Sequence, residues 1–215
     1  MEPSRHPQAH HPQASYSLEE AEVPADPVTL FARWMDDVVA AGLPEPTAMV
    51  LATVSPAGRP RARTVLLKDY GAAGFVFYTN RRSAKGRALA ERPQACLVFP
   101  WHPIQRQVII EGPVRALSTS ESEPYFHSRP RGSQLGAWAS RQSSVLASRA
   151  ELEARYSELE ARWPEGTTVP TPEFWGGYRV LPEVMEFWAG RPSRLHDRLR
   201  YRRAGQDWVL ERLAP

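Results

Sequence analysis

Residues 47–80 read TAMVLATVSPAGRPRARTVLLKDYGAAGFVFYTN, and this stretch decides the fold. Ala48 to Val54 is a β-branched and apolar run, Pro56 and Gly58 supply a turn, and Arg63 to Leu67 and then Phe75 to Thr79 return to the same character. Short apolar runs punctuated by Pro and Gly read as consecutive antiparallel strands with short connections. Downstream, Ala95 to Trp101, Gln107 to Leu117, Phe174 to Trp188 and Trp208 to Leu213 repeat the pattern. Helical signals are fewer and do not alternate with the strands as a parallel sheet requires. The expectation is therefore a mainly β chain, a closed or nearly closed antiparallel barrel with helices attached.

Asp26 before Pro27 reads as a helix cap and first-turn proline, and Leu30, Phe31, Trp34, Met35 and Val38 recur at helical spacing up to Gly42. Ser83 to Glu91 reads as a short helix opened by a serine cap, and Ser148 to Trp163 as a solvent-washed helix with Leu152, Tyr156 and Leu159 on one face. Residues 1–23, rich in His, Pro, Gln, Ser and Glu, read as a disordered leader, with one domain over 24–215. His10 and His11 lack carboxylate or thiolate neighbours at ligand spacing, so no metal site is expected. The 27 basic and 24 acidic residues leave a net charge of +3 with no unbroken basic stripe, which argues against a nucleic-acid binder. No apolar run approaches the ~20 residues of a membrane span, and the lone cysteine, Cys96, fits a reducing cytoplasm.

Arg194-Leu-His-Asp-Arg198 places Arg194, His196 and Arg198 at alternate positions, which on a strand would bring all three to one face, opposite Leu195 and Asp197. Such a face favours an anionic or electron-rich ligand, and Phe187 and Trp188 supply flat surface beside it. Arg63 to Lys68 carries a cation at each end of a strand. Tyr78-Thr79-Asn80, followed by Arg81, Arg82, Ser83 and Lys85 entering a helix, combines hydroxyls, cations and free backbone N–H groups suited to phosphate. Tyr125, Arg129 and Ser133, at four-residue spacing, offer a phenol, a guanidinium and a hydroxyl, a set that also reads phosphate well. Gln142 and Ser143 add polar donors in a loop segment. Taken singly, each stretch also fits a structural role: a charged strand edge, snorkelling side chains, a capped helix start or, for Trp101 and Trp138, core packing.

Together the motifs resemble the FMN-dependent pyridoxine (pyridoxamine) 5′-phosphate oxidases. The resemblance rests on Arg63-Thr-Val-Leu-Leu-Lys68, Phe77-Tyr-Thr-Asn80, Phe99-Pro-Trp-His102, Tyr125-Phe-His-Ser-Arg-Pro130, Gln134-Leu-Gly-Ala-Trp138, Arg141-Gln-Ser-Ser144, Phe174-Trp-Gly-Gly177, Glu186-Phe-Trp188 and Arg194-Leu-His-Asp-Arg198. It runs from Pro24 to Pro215 and implies an antiparallel split β-barrel acting as a homodimer, with FMN at the subunit interface. It implies that Arg63, Thr64, Val65, Leu66, Leu67, Lys68, Tyr78, Thr79, Lys85, Gln107, Gln142, Ser143, Trp188 and Arg198 hold FMN. By the same resemblance Lys68, Tyr125, Arg129 and Ser133 grip the substrate phosphate, and Arg194, Leu195 and His196 lie at the pyridine ring, with Arg194 and His196 catalytic. The implied reaction oxidises C4′ of pyridoxamine or pyridoxine 5′-phosphate, hydride passing to flavin N5 and O2 leaving as peroxide.

Three positions depart from the family pattern. Ala84 stands where the family commonly has an arginine beside Lys85. Gln13 and Tyr16 stand where some members carry an arginine and a tyrosine on an N-terminal arm, and Glu45 replaces an aspartate near the substrate. Ala84 leans toward the phenazine-pathway flavin oxidases, whose substrates are aromatic carboxylates, whereas Tyr125, Arg129 and Ser133 lean toward a phosphate substrate. A flavin- or pyridoxal-phosphate-binding carrier without turnover is the rival from another class.

Overall fold

The computed structural model describes residues 17–215. Gln13 and Tyr16, and the His10-His11 pair, lie outside the described residues. Helix α1 (Pro27–Ala40) begins where its cap requires: the Asp26 carboxylate accepts from the N–H groups of Val28 and Thr29, and Pro27 occupies a position that needs no N–H. The chain then runs through β1 (Ala48–Val54), β2 (Pro60–Leu66), β3 (Asp69–Gly71), β4 (Gly74–Asn80), α2 (Ala84–Glu91), β5 (Gln94–Trp101) and β6 (Arg106–Ala116). Helices α3 (Thr119–Ser128), α4 (Arg131–Ala139) and α5 (Arg149–Arg162) come next, and β7 (Trp175–Val180), β8 (Val184–Ala189), β9 (Asp197–Ala204) and β10 (Asp207–Arg212) complete the chain.

All strand pairs are antiparallel, in the order β10-β9-β8-β6-β5-β1-β2, with a second arm β3-β4-β7 joined through β7 to β6. Strand β6 makes the bend. Arg106 to Glu111 pair with β8 and Val114 to Ala116 pair with β7, so one strand belongs to both arms. Gly112 sits at the changeover, where an added Cβ would fall 1.9 Å from the Leu181 carbonyl oxygen. Only a residue without a side chain lets the two arms meet there.

The apolar stripe of α1 fills the concave side of this half-barrel. The Phe31 ring meets Tyr70, Phe75 and Phe99 edge-on, each at 5.0 Å, and Trp34 meets Phe187 at 5.2 Å. Arg106 closes one end with a 2.6 Å bond to Asp37. A second, smaller core of Phe126, Leu135, Val169 and Trp175 fastens α3, α4 and α5 to β7.

Three expectations need correcting. The 194–198 stretch is not a strand throughout: Pro192–Arg194 form a 3₁₀ turn and β9 starts at Asp197. Ser193 and Arg194 hold left-handed backbone at φ 59° and φ 60°, which costs a non-glycine residue about 1 kcal/mol or more each. Arg194 and His196 therefore do not alternate on a sheet face with Arg198. Second, Phe174 to Trp188 divides into β7 and β8 around Leu181, Pro182 and Glu183. Third, residues 17–23, grouped with the leader on composition, are held down, for Leu18 is 1% exposed in the main core and its N–H donates to Asp197.

Candidate functional site

Strand β4 leaves the barrel at Tyr78, Thr79 and Asn80, and caps dictate the path of the chain beyond it. Asn80 Oδ1 accepts the Arg82 N–H, and the Ser83 hydroxyl caps α2 at Gly86 N–H, which brings Lys85 back toward the strand. Lys85 Nζ then donates to Thr79 Oγ1 at 3.1 Å and to Gln142 Oε1 at 2.7 Å, and Ala84 N–H donates to Ser143 Oγ at 3.1 Å. Lys85 has no carboxylate partner among the described residues, and burial, with Arg63 nearby, pushes its pKa below the usual lysine range. Arg63 donates to the Leu51 carbonyl and to Thr53 Oγ1, and burial lowers its pKa too.

On the other side of Tyr78 stands a second unneutralised cation. Helix α3 opens with a Ser118–Glu121 capping box and ends at Ser128. Arg129 is extended there because Pro130 comes next, and α4 starts immediately after. Its guanidinium is thereby laid over the Trp175 ring at 5.0 Å and the Phe126 ring at 5.5 Å. Nη2 donates to the Ser133 carbonyl at 2.7 Å, while Nη1 is buried without a partner. Burial lowers the Arg129 pKa. Tyr78 stacks on both Tyr125, at 4.2 Å, and Trp175, at 5.2 Å, whose rings are themselves 6.2 Å apart, and its phenol is pushed up, chiefly by burial. A cleft of about 350 Å³ is lined by Tyr78, Thr79, Arg129, Ser133, Gln142 and Trp175. Arg129 lines this cleft and Lys85 stands behind its wall, bonded to Thr79 and Gln142, so two cations lacking counter-charges make it a place for dianionic groups.

The remaining β2 residues of interest obey its register, Thr64 opposite Val50, Val65 opposite Met49 and Leu66 opposite Ala48. Leu67 is buried, and exposed Lys68 borders a separate hollow of about 220 Å³ with Met35, Thr47, Asp69 and Tyr70. Glu45 holds left-handed backbone at φ 47°.

Gln107, Trp188 and Arg198 line up elsewhere. Gln107 is opposite Trp188 across β6 and β8, and Trp188 is opposite Arg198 across β8 and β9, so the three share one row on one face. His196 closes over Trp188, ring centres 4.7 Å apart, and its Nδ1 accepts the Arg191 N–H at 3.0 Å. That bond leaves Nε2 as the protonated, donating nitrogen of the neutral ring. Arg198 is bidentate on Glu186 at 2.9 and 3.1 Å, so this row carries little net charge. Arg194 and Leu195 are exposed at the turn.

Most of the polar and aromatic residues expected at the site fall into two groups, with Thr64 to Leu67 along β2 and its end, Lys68 at the separate hollow and Arg194 and Leu195 at the turn belonging to neither. One gathers Arg63, Tyr78, Thr79, Lys85, Tyr125, Arg129, Ser133, Gln142 and Ser143, and the other Gln107, Trp188, His196 and Arg198. Among the described residues no hydrogen bond, ion pair or ring contact joins them. Neither Arg81 nor Arg82 replaces the cation missing at Ala84: Arg81 donates to the Leu117 carbonyl and lies against Gly176, and Arg82 rests over Phe174 at 5.2 Å. Residue-by-residue reading overlooked Trp175, the platform under Tyr78 and Arg129. Its signal was the Phe174-Trp-Gly-Gly177 stretch, whose paired glycines let Arg81 and Tyr78 press against β7.

A bent antiparallel half-barrel with this appended helical layer defines a split-barrel protein. Among solved structures it is similar to PhzG from Burkholderia lata 383 in complex with tetrahydrophenazine-1-carboxylic acid, at TM-score 0.88 and 35% identity, over 95% of this chain and 100% of that one. A pyridoxamine 5′-phosphate oxidase-related, FMN binding protein from Nostoc punctiforme shares the fold at TM-score 0.69 and 18% identity, over 93% of this chain and 99% of that one. Residues 35–163 match the Pyridoxamine 5′-phosphate oxidase family and residues 175–215 the Pyridoxine 5′-phosphate oxidase C-terminal dimerisation region. The chain is similar to the pyridoxine/pyridoxamine 5′-phosphate oxidases of Salinispora arenicola, 56% identical over 94% of this chain and 92% of the relative, and of Thermosynechococcus vestitus, 58% identical over 92% and 93%. The chain belongs to the pyridoxamine 5′-phosphate oxidase family.

Proposed function

We propose that this chain is a flavin-dependent oxidase that converts pyridoxamine or pyridoxine 5′-phosphate to pyridoxal 5′-phosphate, working in the cytoplasm as a homodimer with FMN and O2. The observation that carries the reading is the pair of half-buried, acid-free cations, Arg129 lining one cleft and Lys85 bonded to Thr79 and Gln142 in its wall: a bound flavin and its substrate each bring one phosphate. These donor sets fit such groups, because Lys85 meets only neutral oxygens and Arg129 keeps a buried N–H to give. When bound, flavin supplies the hydride acceptor and the route to O2.

The chain's own residues bind and orient. Lys85, Thr79, Gln142 and Ser143, with Arg63 behind them, hold the cofactor phosphate. Arg129, Ser133 and Tyr125 hold the substrate phosphate, whereas Lys68, at its separate hollow, lies apart from this grip within one chain. Trp188 and Gln107 support the flavin ring, and Arg198 adds a donor rather than a net charge because Glu186 already neutralises it. Arg194 orients C4′, and His196 donates through Nε2 at the pyridine ring. Since the two groups do not meet within one chain, a dimer in which each site takes one group from either subunit is the arrangement that supports turnover, in keeping with the dimerisation-region match.

Aerobic mixing of the yellow, flavin-loaded protein with pyridoxamine 5′-phosphate tests the reading: pyridoxal phosphate and peroxide should appear in equal amounts, and unphosphorylated pyridoxamine should react poorly. Turnover of a tetrahydrophenazine carboxylate in its place would assign the chain to phenazine-type chemistry, the reading that Ala84 favours. Flavin bound with neither reaction would leave a carrier.

A further inference from the structure

Asp197 sits where three chain segments meet. Its Oδ1 accepts from Arg212 Nη1 at 2.8 Å, its Oδ2 accepts from Leu18 N–H at 3.2 Å, and Arg191 Nε lies 3.6 Å from the same oxygen. Arg212 reaches on to the Leu18 carbonyl and to both carboxylate oxygens of Glu20, each at 2.6 Å. The carboxylate is only 15% exposed, and the Leu18 side chain is anchored in the main core. Segment 17–20, the end of β10 and the 191–197 turn are therefore one network around a single carboxylate.

The turn it holds is the one that needs holding. Ser193 and Arg194 are consecutive left-handed residues, a conformation that persists only where the surroundings over-determine it. The turn's own bonds are few: Leu195 N–H to the Pro192 carbonyl at 3.2 Å and Arg191 N–H to His196 Nδ1 at 3.0 Å. Asp197 adds a tie at each end, covalently after His196 and through Arg191 before the turn.

We propose that Asp197 is the positioning residue for Arg194 and His196, its carboxylate fixing the 191–196 backbone through Arg212, Leu18 and Arg191 so that both side chains face the reacting ring. What those side chains do rests on the function proposed above. A simple strand-to-strand ion pair would need only Arg212. Here the second oxygen is committed to Leu18 and Arg191, outside β9 and β10.

The test uses the flavin-loaded full chain with Asp197→Asn, Arg212→Gln, Arg212→Lys and the Asp197→Asn/Arg212→Gln double variant. Flavin content, kcat and KM for pyridoxamine 5′-phosphate, and amide hydrogen exchange of the 190–197 peptide are measured. Asp197→Asn should lower kcat tenfold or more, leave flavin content unchanged and speed exchange of the turn. Arg212→Gln should reproduce that loss, Arg212→Lys should recover most of it, and the double variant should be no worse than either single one. Unchanged kcat with faster exchange would reduce Asp197 to a structural tie, and unchanged exchange would remove the proposal altogether. If Asp197→Asn does not fold, the Arg212→Gln and Arg212→Lys pair decides by the same readings. A wild-type protein inert toward pyridoxamine 5′-phosphate would overturn the proposed function, and the exchange comparison would then judge the tie alone.

Discussion

The Arg129 guanidinium lies 5.0 Å above the Trp175 ring with Nη1 buried and unpaired, a cation held against an aromatic face without a carboxylate among the described residues. Replacing Arg129 with Ala should remove a charge-assisted contact worth about 1.5–3 kcal/mol and raise KM for pyridoxamine 5′-phosphate roughly 10- to 150-fold. Flavin content should be retained, because Lys85 and Gln142 are untouched. Steady-state kinetics beside the visible spectrum checks this, and equal loss of flavin would refute the division of the two phosphate grips.

Ala84 stands in the first turn of α2 with its N–H on Ser143 and no cation in its place. Ala84→Arg should therefore tighten FMN binding by about 1 kcal/mol, roughly fivefold, since the new group is partly exposed and its gain is screened. Flavin fluorescence titration of the apoprotein measures it. An unchanged or weaker affinity would mean that Lys85 and Arg63 already satisfy the phosphate.

If each site draws one residue group from either subunit, Arg129→Ala and His196→Ala variants, assayed at substrate well below the raised KM so that each is nearly inactive alone, should complement when unfolded and refolded together. Random pairing makes half the dimers mixed, and each mixed dimer holds one intact site, so about a quarter of wild-type activity should return. No recovery would place both groups in one subunit's site.

Glu121 is pulled down to about 2, first by Arg115, then by the Ser118 N–H and hydroxyl. A carboxyl depressed in the folded state contributes stability above its unfolded pKa of 4.5, and that contribution is lost as pH falls toward 2. Thermal melts between pH 5 and 2 should steepen less for Glu121→Gln than for the wild type, with the α3 end of the cleft affected first. Parallel curves would show that the capping box does not report on acid stability.

Much of the barrel was legible because local physics and tertiary packing agree there. Asp26-Pro27 fixed the start of α1, and the stripe Leu30, Phe31, Trp34, Met35 and Val38 is the set of side chains that the helix buries. Strand β1 runs over the residues its apolar run marked, and Ser83 caps α2 as expected. Helix α4 escaped because Gly132 and Gly136 dilute its periodicity and Pro130 supplies no side-chain cap. Strand β3 is too short, at Asp69–Gly71, to show a pattern. At Arg194 to Arg198 alternating charge imitated a strand, whereas the proline at 192 and two left-handed residues make a turn, and Asp197 at its end bonds Arg212 and Leu18, of which Leu18 lies 179 residues away. The phosphate-type residues were recognisable singly. That Lys85 backs the wall of the cleft lined by Arg129 and Trp175 depends on pairings between β4 and β7 that no local window contains.

Helices α3 to α5 leave the barrel after β6 and re-enter at β7, two strands that lie side by side, with Ala116 opposite Tyr178 and Leu117 N–H clasped to the Gly177 carbonyl at 2.9 Å. The ends of the excursion are thus already adjacent, while bonds such as Gly177 N–H to Ser122 Oγ and Lys85 to Gln142 tie its body to the sheet. Closing the loop between such neighbouring ends costs little more chain entropy as its length grows, so the cost of changing this segment falls on the packing of Phe126, Leu135 and Val169 against Trp175. The same excursion carries Arg129 and Ser133 on one side of the cleft and Gln142 and Ser143 on the other, so any remodelling of it reaches both phosphate grips at once.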